Sequence, residues 1–191
     1  MKVLVTKEYL TNIANSIRNK IGGTTKYKPE DMSEAIDGIT TVYSPRYISF
    51  REYKGTDLIP ELTGLDTSKI TTMAQMFYYC DALVSLNVGA FNTENVNNMR
   101  YMFYSCNHII NLDLSNFNTN KVTDMSYMFA NCEGLRTLDI RNFNFDNVTS
   151  CTGMFNGIQP DCKIIVANDS VKRWIISKFS NLTNVKTVAE L

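Results

Sequence analysis

One pattern returns every 26 residues through residues 58–166, and it restricts the fold more than any other feature of the chain. The dipeptide Met-Phe stands at Met76/Phe77, Met102/Phe103, Met128/Phe129 and Met154/Phe155. Further apolar columns keep the same register. Ile70, Val96, Val122 and Val148 form one, and Met73, Met99, Met125 and Cys151 another. Cys80, Cys106, Cys132 and Ile158 form a third, and Leu65, Phe91, Phe117 and Phe143 a fourth. A fixed period of this length marks a solenoid, because such a unit buries its apolar face only by stacking on its neighbours. The expected repeats are about 58–83, 84–109, 110–135 and 136–161.

Two spacings alternate inside each repeat. Leu112-Asp113-Leu114 alternates as a strand does, with counterparts in Leu86/Val88 and Leu138/Ile140. Val122, Met125, Met128, Phe129 and Cys132 then recur at three and four residues, which predicts a short helix in each turn. The fold class expected is therefore α/β, a leucine-rich-repeat solenoid of short parallel strands and short helices. Leu83-x-x-Leu86-x-Val88, Ile109-x-x-Leu112-x-Leu114 and Leu135-x-x-Leu138-x-Ile140 fit the opening of that repeat. Asn92, Asn118 and Asn144, each one residue after the phenylalanine column, are placed to hydrogen-bond the backbone from rung to rung.

The flanks read differently. Leu10, Ile13, Ala14, Ile17 and Ile21 give one amphipathic helix, ended by Gly22-Gly23. Pro29 opens a second, whose apolar face holds Met32, Ala35, Ile36 and Ile39. Two helices this short cannot enclose a core, so their apolar faces must dock elsewhere. That makes residues 1–42 an anchor or assembly module built on Leu10, Ile13, Ile17, Ile21, Met32 and Ile36. Residues 43–191 then form the capped solenoid. Tyr47, Ile48 and Phe50 suggest a short strand in its N-terminal cap. Residues 162–191 form the C-terminal cap, with a strand at 163–166, helix caps at Asn168-Asp169-Ser170, and an apolar face of Val171, Trp174, Ile175 and Phe179. Val185 and Val188 suggest a last extended piece.

Charge excludes little and favours nothing. Nineteen basic and nineteen acidic residues give a formal net charge of zero, so neither nucleic acid nor an anionic membrane is an expected partner. No apolar run approaches the roughly 20 residues of a membrane span. No signal-peptide core precedes Glu8, which predicts synthesis in the cytoplasm without a secretion signal. The five cysteines form no Cys-x-x-Cys pair and the chain has one histidine, so no metal or other cofactor is expected. The cysteine column reads as small buried hydrophobes, a disulfide between neighbouring rungs being the alternative.

Catalytic residues are not expected. His108 sits where neighbouring repeats carry Ala82 and Gly134, so it is not a candidate nucleophile's base. Asp113 and Asp139 share a column about 4.8 Å apart per rung. They read as a hydrated strand face, with acid–base work or cation binding as the sharper alternative. The stronger binding candidates are tyrosines. Tyr101 and Tyr127 share one column, Tyr78 and Tyr104 another. Regularly spaced tyrosines suit stacking on sugar rings or a protein hot spot, or else lateral packing along the rim.

Two resemblances add to this reading. LDLSNFNTNKVTDMSYMFANC (112–132) is similar to the whole repeat of the BspA-type leucine-rich-repeat surface proteins, and the resemblance extends over about residues 46–188. The units depart from it in places, with Gly89-Ala90 for Ser115-Asn116 and Phe145 for Thr119. It implies a right-handed solenoid with a binding role and no catalytic residues. Residues 7–39 resemble a module at the start of tail and baseplate-associated proteins of phages that infect Gram-positive hosts. Ile13, Ala14, Ile17, Arg18 and Lys20, the Gly-Gly-Thr turn and the Pro-Glu-Asp-Met…Ala-Ile-x-x-Ile ending carry that likeness. Together they imply a virion component of the tail or baseplate. It would bind other virion proteins through its N-terminal helices and a bacterial surface glycan or protein through its solenoid, as a homo-oligomer or part of a larger assembly. The alternatives are a bacterial surface adhesin, for which a secretion signal and anchor are missing, and a purely architectural baseplate part.

Overall fold

The computed structural model describes residues 50–52, 57–58, 62 and 65–191. The helices expected over residues 7–21 and 29–39, with Leu10, Ile13, Ile17, Ile21, Met32 and Ile36, lie outside the described residues, as do Tyr47 and Ile48. The described chain is mixed α/β, with short parallel strands and one α-helix. β1 (Asp57–Leu58) pairs with β2 (Ser85–Leu86). A second sheet runs in the order β3 (Asn111–Asp113), β4 (Thr137–Asp139), β5 (Lys163–Val166) and β6 (Val185–Thr187).

Register follows the sequence columns. Leu112 faces Leu138, which faces Ile164, each partner 26 residues further along. The alternation seen in the sequence decides the faces: Leu86, Leu112 and Leu138 are buried, while Ser85 and Asn111 are exposed. A second set of parallel bridges joins Thr72 to Asn98, Asn98 to Asp124 and Asp124 to Ser150, again at a 26-residue displacement. The core lies between these two ladders. Phe50, Phe77, Phe103, Phe129 and Phe155 stack in one file with ring centroids 5.4–5.7 Å apart. Phe91, Phe117 and Phe143 make a parallel file at 6.4–6.5 Å. Offset aromatic pairs contribute about 0.5–1.5 kcal/mol each beyond their burial.

The expected helix in each repeat is absent from the described residues. Residues 124–132 form a train of turns whose amides alternate in direction. Met125, Tyr127, Phe129 and Asn131 donate forward to Ser150, Thr152, Met154 and Asn156 carbonyls at 2.7–2.9 Å. Met128, Ala130 and Cys132 donate back three residues, to Met125, Tyr127 and Phe129, at 3.2–3.3 Å. The carbonyls of Ser126, Met128 and Ala130 accept from Tyr101, Phe103 and Ser105 of the previous turn. Every second amide is thus committed to a neighbouring turn, and none is left for the four-residue bond of an α-helix. Left-handed φ angles recur every four residues, at Tyr101 and Ser105 and again at Tyr127 and Asn131, where a right-handed helix cannot continue. Apolar residues at three and four spacing are produced here by stacked turns.

Side chains complete the ladders. Thr67, Thr93 and Thr119 are buried, and each Oγ1 donates to the carbonyl of Asn92, Asn118 or Asn144 while accepting from the same residue's amide at 2.7 Å. The rung-to-rung role expected of Asn92, Asn118 and Asn144 therefore belongs to the threonines. The asparagine Oδ1 atoms cap their own turns, accepting from the Glu94, Asn120 and Asp146 amides. Cys80, Cys106 and Cys132 are thiols outside any disulfide that donate to the Phe50, Phe77 and Phe103 carbonyls at 3.0–3.2 Å.

Helix α1 (Asp169–Lys178) follows β5. Asn168 Oδ1 caps it, accepting from the Ser170 and Val171 amides. Ile175 is buried, and Val171, Trp174 and Phe179 lean on the core. Phe179 meets Phe155 edge-on at 4.9 Å and so ends the first phenylalanine file.

Candidate recognition face

The turn train that replaces the helix determines where the tyrosines lie. Two positions per turn take a left-handed backbone: residues 75, 101, 127 and 153, and residues 79, 105, 131 and 157. Tyr101 and Tyr127 occupy the first set and Tyr79 the second, with φ of 57°, 57° and 56°. Bulky side chains seldom adopt this conformation, and they keep it only where the surroundings over-determine it. Here each left-handed amide is tied to the next turn: Tyr79 to Tyr104, Tyr101 to Ser126 and Tyr127 to Thr152.

The four tyrosines expected from the sequence come together. Tyr78 stacks on Tyr104 at 5.1 Å, and Tyr101 on Tyr127 at 5.0 Å with planes 5° apart. The two stacks meet edge-on, Tyr101 lying 5.3 Å from Tyr104 and 6.0 Å from Tyr78. Tyr79 joins them, 4.7 Å from Tyr78 and 5.5 Å from Tyr104, and is 41 % exposed. The sequence columns did not find it, because Ser105, Asn131 and Gly157 are its counterparts and nothing aromatic recurs. Its signal was only adjacency to Tyr78. At the far end the Tyr127 ring lies over Gly153, where an added Cβ would come within 2.5 Å of Cε1.

Two guanidiniums frame the face. Arg51 lies over the Tyr78 ring at 4.6 Å and Arg100 over Tyr101 at 4.9 Å. Asn131 Nδ2 donates to the Tyr104 hydroxyl at 3.1 Å. Desolvation, followed by the neighbouring Tyr79 and Tyr78, pushes the Tyr104 phenol above its ordinary value, so it stays neutral and available as a donor. The result is a half-buried, rigid aromatic surface with polar tips, suited to apolar ring faces and hydroxyl groups.

The two aspartates are register partners, but each has work in the fold. Asp139 is buried, and both its oxygens take the Arg141 guanidinium, with Nε at 3.0 Å from each. Asp113 Oδ1 accepts the Ser115 amide at 2.9 Å; hydrogen bonding from the Ser115 side chain, then from this amide, lowers its carboxyl below the ordinary value, helped by the charge of Arg141. The same oxygen position serves the same turn at Asn87 and Asp139, accepting from Gly89 and Arg141 amides. His108 is exposed and its Nδ1 meets the Asp81 carbonyl. Among the described residues no cluster of three or more His, Cys, Asp or Glu is placed to hold a metal, and no helix is long and apolar enough to cross a membrane.

Short parallel strands and turns paired at a 26-residue displacement, carrying an aromatic face, define a mixed α/β protein. The chain belongs to the family described as "Mycoplasma protein of unknown function, DUF285", whose model matches residues 48–174. That family is linked to BspA-like surface repeat proteins. No curated protein and no solved structure matches the chain.

Proposed function

We propose that this chain is a non-catalytic recognition protein, a solenoid of 26-residue leucine-rich repeats that binds a bacterial surface glycan or protein through the face formed by Tyr78, Tyr79, Tyr101, Tyr104 and Tyr127. The observation that carries this reading is the tyrosine cluster itself. Three of its five members sit on left-handed backbone that glycine would adopt without strain, and glycine does stand at Gly153 and Gly157 in the same columns. Aromatic rings kept at such positions, partly open to solvent, support a binding role over simple rim packing. Residues 1–42 serve as the attachment module, and the N-terminal resemblance supports a place in the tail or baseplate of a phage particle.

A second reading is favoured by the family match: a bacterial surface protein that uses the same face against a host or another cell. Mass spectrometry of purified particles beside washed cell surfaces separates the two locations. The binding claim is tested by Tyr101→Ala with Tyr127→Ala in the full chain. Loss of binding to bacterial cells or their wall fragments, with the fold and any particle assembly intact, is the expected result. Unchanged binding, or loss of assembly alone, would overturn it in favour of an architectural role.

A further inference from the structure

The left-handed column at residues 79, 105, 131 and 157 ends differently from how it begins. At three levels its amide is tied to the next turn: Tyr79 N to Tyr104 O at 2.8 Å, Ser105 N to Ala130 O at 2.9 Å, and Asn131 N to Asn156 O at 2.7 Å. Gly157 is the fourth member, with φ of 74°. Beyond it the chain runs into β5 and α1, and no described residue accepts its N–H. Without a Cβ its nitrogen is also the least hindered a backbone can offer. The residue before it is Asn156, which is exposed, and Asn156-Gly157 is the one Asn-Gly step in the sequence.

We propose that Asn156 is a site of spontaneous deamidation and backbone isomerisation in the folded protein. The Gly157 nitrogen gives its proton to water or hydroxide and attacks Cγ of Asn156, forming a C–N bond. The Cγ–Nδ2 bond breaks and Nδ2 leaves as ammonia after taking a proton, which closes a five-membered cyclic imide. Water then adds to one of the two imide carbonyls. Opening at the side-chain carbonyl gives aspartate; opening at the main-chain carbonyl gives isoaspartate. Water is the only co-reactant, and no electrons are exchanged with any other molecule.

Either product places a new negative charge on the last turn, and isoaspartate lengthens the backbone by one carbon. That change reaches the tyrosine face. The Asn156 carbonyl receives the Asn131 amide, and Asn131 Nδ2 in turn donates to the Tyr104 hydroxyl. Modification of the final turn therefore moves the residue that fixes Tyr104. The chemistry at Asn156 does not depend on the proposed function and stands or falls separately.

The full chain is held in its native state at mildly alkaline pH in an amine-free buffer, with a denatured sample beside it. Both are digested under acid conditions and mapped by mass spectrometry with fragmentation that distinguishes isoaspartate from aspartate. Conversion of Asn156 in the native sample, ahead of every other asparagine and yielding both products, is expected. Asn156→Gln, whose ring closure is slower, should lose the conversion while keeping the native circular-dichroism spectrum. An intact Asn156 in the native sample while the denatured chain converts would overturn the proposal. So would conversion spread evenly over the other asparagines.

Discussion

Phe145 lies against Trp174 with ring centroids 4.4 Å apart and planes 25° from parallel. It does so from the column that holds Thr67, Thr93 and Thr119 in the preceding turns. Those hydroxyls are useful because a further turn lies beside them with a free amide and carbonyl. At the level of Phe145 the neighbouring chain is helix α1, whose backbone groups bond internally, so a threonine there would have nothing to join. An aromatic ring instead offers apolar surface to the helix. One substitution in one column ends the stack and seats the element that closes it.

Phe145→Thr should accordingly lower stability although it restores the repeat. The lost contact with Trp174 and the half-buried hydroxyl are expected to cost about 2 kcal/mol. Urea unfolding followed by Trp174 fluorescence measures it directly. An unchanged midpoint would mean that the helix is held by Ile175 and Phe179 alone.

Thr93→Val removes a donor and an acceptor in an isosteric change. The Asn118 amide and carbonyl both lose their partner, and a cost of roughly 1–3 kcal/mol is expected. Thr93→Ser keeps the hydroxyl and should retain most of the stability. If valine and serine unfolded at the same denaturant concentration, the threonine ladder would be incidental to the fold.

The buried thiols resist ionisation. Desolvation pushes Cys132 up to about 12 and Cys162 to about 11, and raises Cys106 well above its ordinary value. The folded state therefore binds these protons more tightly than the unfolded state does. Their contribution to stability is complete below the ordinary thiol value of 9.0 and declines as pH rises above it. Since the thiolate is the reactive form, maleimide or iodoacetamide should label half-buried Cys151 first at neutral pH. Cys80, Cys106, Cys132 and Cys162 should react only on unfolding, as quantitative labelling with and without denaturant can show.

Glu190 closes the C-terminus with the opposite sign. Its carboxylate takes Lys172 Nζ at 2.7 and 2.9 Å and the Thr187 amide at 2.7 Å. The Lys172 bond, followed by the Thr187 bond, lowers its pKa from 4.5 to about 2. A depressed carboxyl stabilises the fold above its unfolded value, and that share is lost as pH falls from 4.5 toward 2. Glu190→Gln should remove this part of the acid dependence, read from melting temperature against pH, and leave the alkaline limb unchanged. An acid limb identical in both proteins would rule the clasp out as its source.

Much of this protein was determined by its sequence alone. The apolar columns, the alternation that places Leu112 and Leu138 inside, the closing helix with its Asn168 cap, and the two tyrosine columns are all visible without coordinates. They are legible because each turn of chain stacks on a copy of itself, so a spatial neighbour is also a residue one period away. Only the tertiary structure decided where the backbone hydrogen bonds go. Val122, Met125, Met128, Phe129 and Cys132 carry helical spacing, yet Met125 and Phe129 give their amides to the next turn, a choice that exists only once that turn is in place. For the same reason the threonines rather than the asparagines join the rungs, and Tyr79 enters the tyrosine cluster without any recurrence in the chain. Periodicity fixes which residues share a level; the direction of each donor at that level is set by what packs beside it.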